Sequence, residues 1–181
     1  MAAGLCGIAQ GSDGGGSIRI PASCCGLLGF KASRGRVSAA PFVPGIGLGT
    51  SGSLARTTAD AAAYLDVVSG YEWGDPFPAP GPERPFADEV GADPGRLRVA
   101  VTTVPPLDAE VDAECLAATR DAAELLASLG HVVEEAAPDW GGAGMMDDFK
   151  PVWQTAPAMY GIADPSVLSP LNRAFLAGAQ A

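Results

Sequence analysis

The 181-residue chain reads as an α/β protein, a sheet covered by helices. Three observations predict it. The alternating, β-branched run Leu97-Arg98-Val99-Ala100-Val101-Thr102 is followed by apolar residues at steps of three and four, then by His131-Val132-Val133-Glu134-Glu135, the order of a β–α–β unit. Residues Thr57 to Ser69 carry a second helical pattern. The short apolar run Leu5-Cys6-Gly7-Ile8-Ala9 leads towards three consecutive glycines, as a strand feeding a tight loop does.

In chain order, Leu5 to Ala9 reads as a buried strand ending at Gln10. The stretch Gly11-Ser12-Asp13-Gly14-Gly15-Gly16-Ser17-Ile18-Arg19-Ile20-Pro21-Ala22-Ser23 comes next. Its glycines can adopt φ > 0 without steric cost. Successive glycine amides can point one way and form a concave cluster of donors. Such a cluster stabilises an oxyanion when a nucleophile stands beside it, and Ser17 does. A turn with no chemistry would use the same residues. A phosphate-binding P-loop is excluded, because no Gly-Lys-Ser/Thr follows the glycines. Arg19 breaks both the dinucleotide fingerprint and the G-x-S-x-G elbow. Lys31, one of two lysines with Lys150, reads as a structural or surface residue. Ser33-Arg34-Gly35-Arg36 reads as a solvated turn, and glycine- and proline-rich Ala40 to Ser53 as loop.

Thr57 caps the first long helix, with Asp60 as its capping-box partner, Gly70 at C′, and Ala61, Tyr64, Leu65 and Val68 on one face. Five prolines between Tyr71 and Asp88 (Pro76, Pro78, Pro80, Pro82, Pro85) exclude a helix or central strand there. Asp108 is expected to cap the next helix, which runs to Leu129 with Val111, Cys115, Ala118, Ala122, Leu125 and Leu129 facing inward, and Gly130 ends it. The strands on either side should be parallel, joined by a right-handed crossover. Glu134 and Glu135 then point to opposite sides of a strand and form no carboxylate pair. His131, the sole histidine, sits between a helix-ending glycine and a strand, a structural position. Met145, Met146, Phe149, Val152, Trp153 and Met159 suggest an apolar helical face. Pro157, Pro165 and Pro170 break the remainder of the chain, and Leu171 to Ala179 reads as a helix.

Composition narrows the function classes. Hydrophobic residues make up 48% of the chain and charged ones 18%, enough for a core and too few charges for disorder. The formal charge of −10 argues against nucleic acid or an anionic membrane as partner. Cys6, Cys24, Cys25 and Cys115 form no disulfide framework or metal knuckle and read as small buried hydrophobes in a reducing cytosol. No leader pattern follows Met1, and no apolar run reaches the length of a membrane span. A cytoplasmic protein without metal or cofactor is expected.

Residues Ala9 to Ser38, with the run Gly14-Gly15-Gly16-Ser17-Ile18-Arg19-Ile20-Pro21-Ala22-Ser23-Cys24-Cys25-Gly26 at their centre, resemble the heart of the amidase signature family. Leu54-Ala55-Arg56-Thr57-Thr58-Ala59-Asp60-Ala61-Ala62 is similar to the family's next block. The resemblance implies a mixed central sheet covered by helices and a serine hydrolase that cleaves amides with a Ser–cis-Ser–Lys triad. It puts Ser17 at the nucleophile, Gly14, Gly15 and Gly16 on the oxyanion loop with the amide of Ser17, and Asp13 and Arg19 among residues that brace the loop. It also implies a short helix and then a strand after that loop. The family's lysine and cis-serine lie upstream of this loop and are absent here, so the chain resembles an internal piece, expected to have little activity alone, or a non-catalytic relative. Ala32, Ser51 and Ser53 replace more usual residues. On this resemblance residues 1–181 form one partial domain: a signature core at 5–70, an excursion at 71–95, a β–α–β unit at 96–136 and a C-terminal part at 137–181. The implied partner is a small-molecule amide, as for enzymes of cyclic nylon-related oligomers, and a homo-oligomer is compatible with it. The alternative enzyme that the resemblance allows is a glutamyl-tRNA amidotransferase A-like subunit, against which Ile20 argues mildly, since such subunits often have glutamine there.

Overall fold

The structure, a computed structural model, describes residues 1–41, 47–140 and 144–179. The chain divides into two compact units, Met1–Ala92 with Ala156–Asp164, and Asp93–Thr155 with Pro165–Ala181. Both strand directions occur, antiparallel in the first unit and parallel in the second. None of the described helices is long and apolar enough to cross a membrane.

In the first unit β1 (Ala9–Asp13), β2 (Leu28–Phe30) and β3 (Thr50–Ala55) form an antiparallel sheet in the order β1-β3-β2. Helix α1 (Arg19–Cys24) lies between β1 and β2 in sequence, the loop–helix–strand order the resemblance implied. Two sequence expectations shift here. The first strand starts at Ala9, not Leu5, whose side chain is 89% exposed. Its bounds follow its partner: the register runs from Ala9 opposite Leu54 to Asp13 opposite Thr50. The stretch expected to be loop up to Ser53 contains the first four residues of β3, while residues 42–46 of it lie outside the described set. Thr50-Ser51-Gly52-Ser53 lacks an apolar strand pattern. It is a strand because β1 pairs along all of it and β2 joins on the other side from Ser53 onward, and small residues let them approach.

The core beneath this sheet is small-residue packing. Ile18, Ala22, Ala55, Ala61, Ala62 and Leu65 are buried. Burying Ile18 completely contributes about 1.5–3 kcal/mol. A Cβ on Gly29 would lie 2.6 Å from Ala22 Cβ and 2.9 Å from the Ile18 carbonyl oxygen, so α1 rests on β2 at backbone distance.

Helix α2 (Thr58–Val68) starts as read from sequence. Thr57 Oγ1 accepts the Asp60 N–H at 3.1 Å and donates to Asp60 Oδ2 at 2.8 Å. Ala61 and Leu65 face the core, with Tyr64 and Val68 half-buried beside them. Replacing Thr57 with alanine removes this cap and is expected to cost about 1 kcal/mol, read as a lower thermal midpoint by circular dichroism.

The proline-rich segment stays irregular except for one 3₁₀ turn, Phe86–Glu89. Asp66 of α2 accepts the Phe86 and Ala87 amides at 2.6 and 2.9 Å. The basic patch expected to be a solvated turn instead anchors this segment. Arg34 stacks over Phe77, Arg36 over Phe86, and Arg36 Nη1 donates to the Pro80 carbonyl at 2.6 Å. Planar guanidinium groups suit this use, stacking and donating together. Gly35 is required between them, with φ +78° and its Cα face against the Phe77 carbonyl.

In the second unit β4 (Arg98–Val101) and β5 (Val132–Glu135) pair in parallel, and α3 (Ala113–Ser128) joins them. The β–α–β reading holds, with two corrections. Asp112, not Asp108, caps α3, its carboxylate accepting the Glu114 N–H at 2.7 Å. The half-buried face is Leu116, Thr119, Ala123 and Leu126, whereas Leu125 and Leu129 are 60% and 65% exposed. Two apolar stripes ran along this alanine-rich helix, and the position of the sheet selected the other one. Leu97 N–H donates to His131 Nδ1 at 3.3 Å, tying the lead-in of β4 to that of β5. Arg98 pairs with Glu134 at 2.7 Å across the strands.

Helix α4 (Met145–Gln154) carries Phe149 and Trp153 with their rings in tilted contact, centroids 5.6 Å apart, and α5 (Pro170–Ala179) starts on its proline. All four cysteines are free thiols on the surface, not buried hydrophobes. Cys24 and Cys25 end a six-residue helix whose one buried residue is Ala22.

Candidate active site

Strand β1 delivers Asp13 at its last position, and the side chain is fully buried. The chain then turns through Gly14, Gly15 and Gly16 into Ser17 and α1. Gly16 has φ +123°, a conformation that a side chain would strain. A Cβ there would also lie 2.6 Å from Ile20 Cδ1. The loop therefore closes over its own following residue, and Ile20 N–H donates to the Gly16 carbonyl at 2.7 Å.

Asp13 organises the turn. Its Oδ1 accepts the Gly16 N–H at 2.6 Å, and Oδ2 accepts the Ile18 and Arg19 amides at 3.2 and 3.4 Å. The Arg19 guanidinium grips both oxygens, Nε on Oδ2 at 2.9 Å and Nη2 on Oδ1 at 3.1 Å. This bidentate contact is the strongest form of the pair. It holds the Asp13 carboxyl far below the usual carboxylate range, with the three backbone donors helping and burial opposing. The same partnership raises Arg19.

The carboxylate thus takes the amides of Gly16, Ile18 and Arg19 and leaves those of Gly14, Gly15 and Ser17. Ser17 itself is exposed, between two residues whose backbones are pinned. Of the residues singled out from sequence, Asp13, Gly14, Gly15, Gly16, Ser17 and Arg19 come together in one turn. Gly16 differs from its glycine neighbours, because its N–H is committed to Asp13.

Sequence reasoning gave Lys31 no place in this site. It follows β2 directly, its Nζ 3.6 Å from Asp13 Oδ1 and donating to the Leu48 carbonyl at 3.1 Å. The one available signal was scarcity, a lysine just past a short strand in a chain with only two lysines. Among the described residues no cluster of histidine, cysteine, aspartate or glutamate could hold a metal.

A family model described as Amidase matches residues 1–141. A putative amidase of Synechocystis sp. is 44% identical over 167 residues, 91% of this chain and 32% of that protein. A 6-aminohexanoate-cyclic-dimer hydrolase of Paenarthrobacter ureafaciens is 44% identical over 162 residues, 86% of this chain and 33% of that protein. Among solved structures, 6-aminohexanoate cyclic dimer hydrolase complexed with substrate matches with a TM-score of 0.91 and 36% identity, over 99% of this chain and 40% of that one. A bacterial aryl acylamidase of the amidase signature enzymes matches with a TM-score of 0.77 and 25% identity, over 99% of this chain and 39% of that one. The chain thus spans 32% and 33% of the length of these two curated relatives.

Proposed function

The chain belongs to the amidase family, and from that premise we propose that it carries the nucleophile loop of an enzyme that hydrolyses small-molecule amides, with Ser17 as nucleophile. The observation that supports this most is the division of labour around Asp13. A buried carboxylate takes the amides on either side of Ser17 and leaves the Ser17 amide itself free of it.

In this reading Ser17 Oγ attacks the carbonyl carbon and loses its proton to a base. The resemblance places that base, a lysine acting through a serine, upstream of the loop. The negative charge that develops on the carbonyl oxygen is met by the Gly14, Gly15 and Ser17 amides. One such donor is worth roughly 2.7–4 kcal/mol in the transition state. Gly16 shapes this cradle by its positive φ and by its bond to Asp13, while Asp13 and Arg19 brace it. The C–N bond then breaks, the amine leaves with a proton returned by the base, and water releases the acyl group from Ser17. Preorganised donors act without reorganising during the reaction, which is why the rigidity of the turn matters.

The relatives support a linear or cyclic amide as substrate, since two of them are 6-aminohexanoate-cyclic-dimer hydrolases. The four free, exposed thiols suit a reducing cytoplasm.

The test is a chimera in which these residues replace the matching segment of the Paenarthrobacter hydrolase. It is expected to cleave the cyclic dimer of 6-aminohexanoate, and Ser17→Ala to lower kcat by at least about 10⁴-fold. The 181-residue chain alone is expected to react only slowly with a fluorophosphonate probe. A folded chimera without amidase activity, or one whose activity survives Ser17→Ala, overturns the assignment.

A further inference from the structure

We propose that Lys31 is a positioning residue of the nucleophile loop, acting on the Gly16 peptide through Asp13; this rests on Ser17 being the nucleophile. Three strand ends meet at this point. Asp13 closes β1, Lys31 stands one residue past β2, and Leu48 lies two residues before β3. Lys31 connects all three, with its ammonium beside the Asp13 carboxylate and bonded to the Leu48 carbonyl.

The oxygen that Lys31 faces is the informative detail. Asp13 Oδ1, 3.6 Å from Nζ, is the same atom that accepts the Gly16 N–H. The other cation on Asp13 is less sheltered, for the Arg19 side chain is 55% exposed and that of Lys31 24%. A charge partly withdrawn from water is screened less than one that reaches into it. Withdrawing an ammonium is also costly unless it finds acceptors, and Lys31 has a carboxylate and a carbonyl. At 3.6 Å the contact with Asp13 is an ion pair and not a hydrogen bond, so it acts through charge. Lys31, itself tied to the Leu48 carbonyl beyond the loop, therefore helps to hold Oδ1 in place. That keeps the Gly16 N–H committed to Asp13 and fixes the peptide that leads into Ser17.

The experiment is backbone NMR on the ¹⁵N-labelled 181-residue chain. Lys31→Met keeps an unbranched apolar stem and removes the charge. It is expected to speed hydrogen exchange at Gly16 and Ile18 about tenfold and to move the Gly16 amide proton upfield, with exchange in α2 unchanged. Lys31→Arg is expected to restore both signals. In an Asp13→Asn background Lys31→Met is expected to add nothing. Unchanged Gly16 signals in Lys31→Met, failure of arginine to rescue, or an equal effect in the Asp13→Asn background each overturn the proposal. If Lys31→Met does not fold, the ammonium of Lys31 is observed directly in the unmodified chain. Slowed proton exchange at that group supports the ion pair, and exchange as fast as at a solvated lysine refutes it. None of these readings involves chemistry at Ser17, so loss of the nucleophile assignment is detected separately, in the chimera.

Discussion

Replacing Asp13 with alanine is expected to destabilise the first unit by about 3 kcal/mol, read as a lower midpoint in urea denaturation followed by NMR of that unit. Arg19 is half exposed and can turn to water, so the cost comes mainly from the backbone donors left unsatisfied, each worth about 1–3 kcal/mol when buried. The amides of Gly16, Ile18 and Arg19 lose their acceptor in the same step, and the exchange protection of the loop should disappear with it.

The same carboxylate sets a pH dependence whose sign is fixed. Its value in the folded chain lies far below the ordinary 3.8, because the ionised form is held by Arg19 and by backbone donors. A group depressed on folding contributes fully above its unfolded value, and that contribution is lost as pH falls towards the folded value. The loop is therefore expected to hold its protection at pH 5 and to lose stability progressively below 3.8. Asp13→Asn should flatten this part of the acid profile. An Asp13→Asn chain with the same acid slope as the unmodified chain would show that other carboxylates carry it.

Gly52→Ala is expected to be nearly as damaging, at about 3 kcal/mol by urea denaturation. Gly52 sits in the middle of the central strand β3, opposite Gly11 of β1. An added Cβ would overlap the Phe30 carbonyl oxygen of β2 and lie 3.0 Å from Ile18 Cδ1. The first neighbour is backbone and cannot swing aside, and the second is fully buried. Relief requires separating β2 from β3 or displacing the residue after Ser17, so the loop exchange rates should rise as well. Gly81→Ala is the control, with open space around its Cα and no positive φ, and should leave stability unchanged.

The candidate site was legible because its residues are contiguous. Asp13, the three glycines, Ser17 and Arg19 occupy one stretch of seven residues, and their types state the needs of a tight turn with a polar brace. The helix at Thr57 and the β–α–β order were legible for the same reason, as capping and periodicity are local signals. Three element boundaries differ from the sequence expectation: the first strand starts at Ala9 and not Leu5, Thr50 to Ser53 is strand and not loop, and α3 is capped by Asp112 and not Asp108. In the two strand cases pairing overrode composition, with β3 setting the bounds of β1 and made a strand itself by its two neighbours. In the third, two aspartates competed as caps, and the one whose carboxylate meets the Glu114 amide prevailed.

By itself the sequence determined which family the chain resembles, the serine it presents, and the backbone freedom that the glycines give the turn. Those properties belong to residues in covalent order, and no distant contact is needed to express them. Tertiary structure alone decided which face of α3 meets its sheet, that the arginines at 34 and 36 hold down a proline-rich segment, and that Lys31 faces Asp13. Each of these depends on groups 17 or more residues apart, or on which of two equivalent stripes a sheet covers. Periodicity and spacing leave such choices open, and burial and charge settle them once the strands have paired.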